Sequence, residues 1–367
     1  MFVNCSYDDE FSKKLIAETA NVATKASVDP RLLNPKFRTV FRRILNNQPL
    51  EIGGNPGTGK TSSVYWFAYH CLSKQMGFDI PVCKISCDKA KRPNSFLAKT
   101  VFNPYKGVNG DDRETIVIKQ LLLLSFIEGY ICILDDVRQL APDCMTIINK
   151  IAELPNSFYD EELVDEDGKA IVFKRHPNFR LVLTSNPGCR GNSPLPPALK
   201  RRAPLIMIDD QDEKGFLLVG KSNYPFLTDE FLKTTYRLCA SIVEYSRQAG
   251  NAHVYCGMSQ LLSFMTALNG AMDVPPLNEF RENIEVDFIN MMRDEMRDDL
   301  VEAFIAAQAT QSMFMEMYKK YQACPRPSDG TQATPQPATQ PSPQASRPTP
   351  NSGMGLFDDL YGRRIKP

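Results

Sequence analysis

The stretch GGNPGTGKTSS, Gly53 to Ser63, constrains this chain more than any other. It follows LEIGG, a short apolar run that reads as a buried strand, and precedes SSVYWFAYHCL, whose apolar spacing is that of a helix. Gly54, Gly59, Lys60 and Thr61 fill the fixed positions of G-x-x-x-x-G-K-[ST], and a loop of this kind between strand and helix cradles phosphates. Glycines let successive backbone N–H groups turn inward, and the helix N-terminus adds the positive end of its dipole. The run Gly54, Asn55, Pro56, Gly57, Thr58, Gly59, Lys60, Thr61, Ser62 is therefore the candidate nucleotide cradle. Lys60 is expected to neutralise β- and γ-phosphate charge and the Thr61 hydroxyl to ligate Mg²⁺, which makes ATP and Mg²⁺ the expected ligands. A glycine-rich turn with a chance Lys-Thr behind it would not explain the flanking strand and helix.

Four further apolar runs follow: PVCKIS (81–86), YICILDD (130–136), FRLVLTSN (179–186) and PLIMID (204–209). Helical patterns lie between most of them, and strands alternating with helices imply an α/β unit with a mostly parallel sheet covered on both faces. From about 210 to 322 the strand signals fade, and TDEFLKTTYRLCASIVEYSRQ, SQLLSFMTALNGAM and EVDFINMMRDEMRDDLVEAFIAAQ carry helical periodicity. Residues 325–350 then hold eight prolines among Thr, Gln, Ser and Ala, a composition that cannot bury a core. Beyond them, Leu356, Phe357, Leu360 and Tyr361 of MGLFDDLYGRR have one-face helical spacing, read either as a partner-docking motif or as a frayed end. The expected layout is an N-terminal extension at 1–34, an α/β core at 35–209 and a small helical lid at 210–323. A disordered linker at 324–353 and a candidate docking motif at 354–367 complete it.

Composition narrows the classes of function. Lys+Arg and Asp+Glu are 43 each, for a net charge of zero, so no global field draws the chain to nucleic acid or to a membrane surface; a local basic groove stays open. The 10 cysteines are scattered without any C-x-x-C, which points to reduced, mostly buried thiols rather than a zinc site or disulfide framework. MFVNCSYDDEFSKK is polar, and no apolar run reaches the roughly 18 residues of a membrane span, so a soluble cytoplasmic protein is expected.

YICILDD ends an apolar strand in two acids, which is where a Walker B motif places its Mg²⁺ ligand. Asp135 is expected to hold the metal, directly or through water, and Asp136 to orient the attacking water. LVLTSNPG delivers Asn186 to the same edge of the sheet, where a side-chain amide can hold that water or touch the γ-phosphate. An Asn-Pro-Gly turn without function is the competing reading for that residue taken alone.

In this order, GGNPGTGKT, ILDDVRQLAPDCMTIINKIAE, HPNFRLVLTSNPG and PLPPALKRRAPLIMID resemble the AAA+ ATPases, within them the MoxR, CbbQ and dynein-related branch. The resemblance covers roughly 35–210 and implies a hairpin before the sensor-1 strand. FYDEELVDEDGKAIVFKRHPNF matches it, with Asp167-Gly168 as a two-residue turn. It also implies that Asn186 is sensor 1 and that Arg202 is the arginine finger, with Arg201 one step away. Outside that resemblance, Lys200-Arg201-Arg202 reads as a solvated basic turn. The chain departs from the branch at four places. Asp136 stands where Glu is usual, Ala203 replaces the aromatic after the finger, Ser259 holds the sensor-2 position, with Arg247 elsewhere in the pattern, and the segment between Lys91 and Asp112 is short.

The resemblance implies an oligomeric ring, usually a hexamer, and a remodelling chaperone acting on a client protein, often with a von Willebrand factor A-domain partner. A DNA-dependent motor or loader is the alternative from a related branch, with nucleic acid not favoured by the zero net charge. A nucleotide-gated scaffold that barely hydrolyses ATP is the third reading, from Asp136 and Ser259. Slow turnover is expected from the shorter carboxylate.

Overall fold

The computed structural model describes residues 2, 6–26, 28–102, 115–164, 169–187, 192–251, 254–268 and 274–325. The chain opens with helices α1 (Glu10–Lys25), α2 (Pro30–Leu33) and α3 (Phe37–Leu45) and enters strand β1 (Leu50–Gly53). Helix α4 (Lys60–Phe67) leaves the glycine-rich loop, runs through a six-residue π segment, Ala68–Ser73, and ends as α5 (Lys74–Met76). Strand β2 (Val82–Ser86) is followed by an antiparallel hairpin, β3 (Ala98–Phe102) and β4 (Thr115–Lys119), and by helix α6 (Leu121–Glu128). Next come β5 (Ile131–Asp135), α7 (Pro142–Ala152), a second antiparallel hairpin of β6 (Ser157–Val164) and β7 (Ala170–Lys174), and β8 (Arg180–Ser185). Helix α8 (Pro197–Arg202) and strand β9 (Leu205–Met207) close the α/β part.

Five strands form one parallel sheet in the order β2-β5-β8-β1-β9. In β5, Ile131 and Ile133 join one buried cluster with Leu50, Ile52 and Val182, while Cys132 and Leu134 join the other with Leu181 and Leu183. Burial on both faces is why β5 reads as an unbroken apolar run, whereas the edge strand β2 exposes Lys84 and Ser86. The register sets Gly53 beside Ser185 and Ser86 beside Asp135, so β1, β5 and β8 end together and deliver their following residues to one edge.

Helix α1, expected as part of an extension ending at 34, is packed onto this core. Its Asp9 N-cap accepts from the Ser12 N–H at 2.8 Å. Ser12 and Tyr130 share a hydroxyl hydrogen bond at 2.6 Å, and Thr19 Oγ1 accepts from the Val82 N–H of edge strand β2 at 3.1 Å. The β3–β4 hairpin had no expectation in the sequence.

From 213 onward the described structure is helical: α9 (Glu213–Asn223), α10 (Asp229–Gln248), α11 (Met258–Ala267), α12 (Leu277–Ile284), α13 (Asn290–Arg293), α14 (Asp298–Ala306) and α15 (Gln308–Gln322). They enclose their own core, with Phe231, Phe264, Phe280 and Tyr321 in ring contact. The fold is thus a P-loop α/β domain followed by a helical region. No described helix is long and apolar enough to cross a membrane. The described cysteines are free, and burial pushes the Cys83 thiol up to about 11. The Asp167-Gly168 turn and the tail from 326, with its linker and candidate docking motif, lie outside the described residues.

Candidate functional site

The loop from Gly54 to Gly59 turns through positive φ at Gly54 (152°), Gly57 (79°) and Gly59 (81°) before α4 begins at Lys60. Gly57 also meets the lid: a Cβ built there would lie 3.0 Å from Ser259 Oγ, at the start of α11. Gly57→Ala is therefore expected to lower stability by about 1–2 kcal/mol through the left-handed backbone alone, before any displacement of α11. Thermal melting checks the first effect and nucleotide affinity the second.

Lys60 is buried, and its Nζ donates to Gly54 O (2.8 Å), Asn55 O (2.8 Å) and Asn186 Oδ1 (2.7 Å). Asn186 in turn donates through Nδ2 to Asp136 Oδ1 at 3.0 Å. One amide thus joins the ammonium of the glycine-rich loop to the second acid after β5. Both of its polar atoms are engaged, each with a partner of complementary charge.

Beside it, Thr61 Oγ1 donates to Asp135 Oδ1 at 2.9 Å, and Thr184 Oγ1 donates to the same oxygen at 2.5 Å. Lys84 Nζ lies 3.8 Å from Asp135 Oδ2. A hydroxyl and a carboxylate converging this closely are hard oxygen donors of the kind Mg²⁺ takes, so Thr61 and Asp135 fit a magnesium ion bound with phosphate. Asp136 has φ 57°, in the left-handed region, and its N–H reaches Thr184 Oγ1 at 3.3 Å. Its carboxyl is raised above the ordinary aspartate value, first by burial and then by the charge of Asp135, with Lys60 and Lys84 opposing both.

The expected residues do not all meet. Gly54, Lys60, Thr61, Asp135, Asp136 and Asn186 share one edge of the sheet. Arg202, at the end of α8, instead donates through Nη1 to Asn149 Oδ1 of α7 at 2.6 Å and pairs with Glu153. Arg201 is exposed. Arg247 sits at the end of α10, paired with Glu244 at 3.0 Å, and Ser259 is the residue of α11 that touches the loop.

Three participants, Asp210, Thr184 and Lys84, escaped the sequence reading. Asn55 Nδ2 donates to both carboxylate oxygens of Asp210 at 2.9 Å, which ties the loop to the segment leading into the lid. Thr184 and Lys84 both converge on Asp135. Thr184 was legible in LVLTSN, since a threonine inside an apolar strand needs a buried partner. Lys84 and Asp210 lie outside the motif positions, and only the fold brings them near.

Comparison with known proteins agrees with this geometry. Residues 50–203 match the family model of the AAA domain, dynein-related subfamily. Three uncharacterized staphylococcal proteins are similar along most of their length. That of Staphylococcus saprophyticus is 26% identical over 262 residues, 70% of this chain and 88% of the relative. Those of Staphylococcus haemolyticus and Staphylococcus epidermidis are 25% and 22% identical, with the same shares covered. A solved structure from Cytophaga hutchinsonii is 17% identical, covers 84% of this chain and 95% of its own, and has a TM-score of 0.39. The family match, and a phosphate-binding loop opposite an Asp-Asp strand end on a parallel sheet, lead to one conclusion: residues 50–203 lie in a P-loop α/β fold similar to the AAA domain of the dynein-related subfamily.

Proposed function

We propose that the protein hydrolyses ATP in a ring of identical subunits and uses the cycle to remodel a client protein, as the MoxR-like branch does. The observation that carries the ATPase part is the linkage Lys60–Asn186–Asp136, with Thr61 and Asp135 converging beside it. These are the groups that phosphoryl transfer to water requires: a cation for the phosphates, metal ligands, and a carboxylate with an amide to hold the water.

In this reading, the backbone N–H groups of 55–61 and Lys60 bind the phosphates. Thr61 and Asp135 hold Mg²⁺, which when bound neutralises charge on the β- and γ-oxygens. Asp136, a stronger base for its burial, accepts the proton of the attacking water, and Asn186 orients that water. Arg202, engaged with α7 rather than with its own loop, serves the site of a neighbouring subunit. Ring size, a von Willebrand factor A-domain partner and the client itself belong to this proposal.

A nucleotide-gated scaffold is the second reading. Its support is that the start of α11 sets Ser259 against Gly57 of the glycine-rich loop, at the position where the resemblance places a sensor-2 Arg. The two readings separate on turnover: steady-state phosphate release stimulated by a client supports the first, and tight ATP binding without release the second.

Lys60→Ala is expected to weaken ATP binding by about tenfold or more, since each lost charge-assisted hydrogen bond contributes about 1.5–3 kcal/mol. Isothermal titration measures it, and an unchanged affinity removes the loop from the phosphate site.

A further inference from the structure

Beneath the phosphate edge lies an ion pair that none of the roles above uses. Glu51, within β1, is 1% exposed. An ionised carboxylate is tolerated at such depth only when it is paired and hydrogen-bonded. Arg138 Nε donates to Glu51 Oε1 at 2.6 Å and Arg138 Nη2 to Oε2 at 3.2 Å. Ser185 Oγ donates to Oε1 at 2.5 Å. The two-point guanidinium contact fixes direction as well as distance.

The placement of the partners along the chain gives the pair its meaning. Glu51 precedes the loop on β1, Arg138 follows Asp136 by two residues, and Ser185 directly precedes Asn186. Ser193 N–H also donates to Arg138 O at 2.9 Å, which attaches the segment leading to α8 and Arg202. One buried carboxylate therefore holds the strand before the loop, the turn after the acids and the end of the sensor strand.

A second, independent observation points the same way. Asp136 is not glycine, yet it occupies the left-handed region at φ 57°. A residue stays in such a conformation only where its surroundings over-determine it. Its restraints are Thr184 Oγ1 on its N–H, Asn186 Nδ2 on its carboxylate and Gln139 N–H on its carbonyl at 2.9 Å. The turn Val137–Gln139 that carries the last of these is held by the Arg138–Glu51 pair, by Ser193 N–H on Arg138 O and by the buried Val137 side chain. Released from Glu51, this turn can relax, rotate Asp136 toward the right-handed region and swing its carboxylate off Asn186.

We infer that Glu51 and Arg138 are positioning residues: their ion pair, with Ser185, holds Asp136 and Asn186 in mutual register at the phosphate edge. The kinetic consequence rests on the ATPase reading above, whereas the conformational consequence does not.

The test uses the full chain with the double substitution Glu51→Leu/Arg138→Met and, separately, Arg138→Lys. Removing one partner strands a buried charge, but replacing both with apolar side chains commonly keeps or raises stability. The double variant is therefore expected to melt near the wild type. In hydrogen–deuterium exchange without nucleotide, its Asp136 and Gln139 amides should exchange about tenfold faster or more, while those of β2 and α10 stay unchanged. With ATP and Mg²⁺, kcat should fall about 10–100-fold and nucleotide affinity should stay within about threefold, as for a catalytic group displaced by about 1 Å. Arg138→Lys, which keeps the charge without the fork, should lie between the double variant and the wild type in both readouts. Wild-type exchange at Asp136 and Gln139 together with wild-type kcat in the double variant would overturn the inference, leaving the pair a filler of the core. If the double variant does not fold, Arg138→Lys decides by the same two measurements. If the wild type hydrolyses no ATP, the ATPase reading fails and the exchange rates alone decide this one.

Discussion

Arg202→Ala is expected to bind ATP nearly as the wild type does and to hydrolyse it about 10³–10⁵-fold more slowly, the range that an arginine finger contributes. A guanidinium against the γ-phosphate stabilises charge that develops in the transition state, so its loss appears in kcat rather than in affinity. Within one subunit Arg202 is occupied by Asn149 and Glu153 of α7, so in the proposed ring the phosphate it would serve is a neighbour's. Mixing gives the decisive measurement. Lys60→Ala lacks tight binding and Arg202→Ala lacks the finger. In a mixed ring, a subunit with an intact loop can sit beside one with an intact finger. Part of the activity should return, and the amount should rise with protein concentration. If light scattering shows mixed assemblies and phosphate release stays at the level of the separate variants, Arg202 is surface and the site is complete without it.

Asp136→Asn is expected to lower kcat by about 10²–10⁴-fold, the contribution of a positioned general base, and to leave ATP bound. The amide keeps the shape and can still meet Asn186, so binding and fold should survive while proton acceptance is lost. Asp136→Glu restores the carboxylate reach usual in the branch and should keep or raise turnover. Burial and the charge of Asp135 already hold Asp136 above the ordinary aspartate value, so either carboxylate at this position is a stronger base than one in water. Single-turnover phosphate release with both variants separates the roles. Wild-type rates in the Asn variant would assign the water to another group, with Thr184 and Asn186 the side chains hydrogen-bonded to residue 136.

Much of this architecture was legible because local chemistry agreed with it. GGNPGTGKT could be read without a fold, since its glycines answer to backbone φ values and its Lys-Thr to phosphate and metal chemistry. The strand ends at Asp135 and Asn186 were legible because the long apolar stretches of strands buried on both faces give way to polar residues near those points. The β6–β7 hairpin was recognisable from β-rich flanks around a turn. The β3–β4 hairpin was not, because AKTVF and TIVIK are short and lie too far apart in the sequence for a two-residue hairpin loop. Helix α1 read as an extension because its mean character is polar. The contacts of Ser12 and Thr19 with Tyr130 and Val82, with Leu15 and Ala23 buried in the core, show that it belongs there.

By itself, the sequence determined the class of fold, the phosphate loop and the identities of the acids and the amide that face it. These follow from local rules: backbone freedom at glycine, apolar period and residue chemistry at the ends of strands. Tertiary structure alone decided that Asn186 bridges Lys60 and Asp136, that Arg202 turns to α7, that Ser259 rests on Gly57, and that Glu51 is bound to Arg138. Each of these joins residues far apart in the chain, and their meeting depends on strand order, register and the packing of helices across the sheet, which no short window of sequence contains.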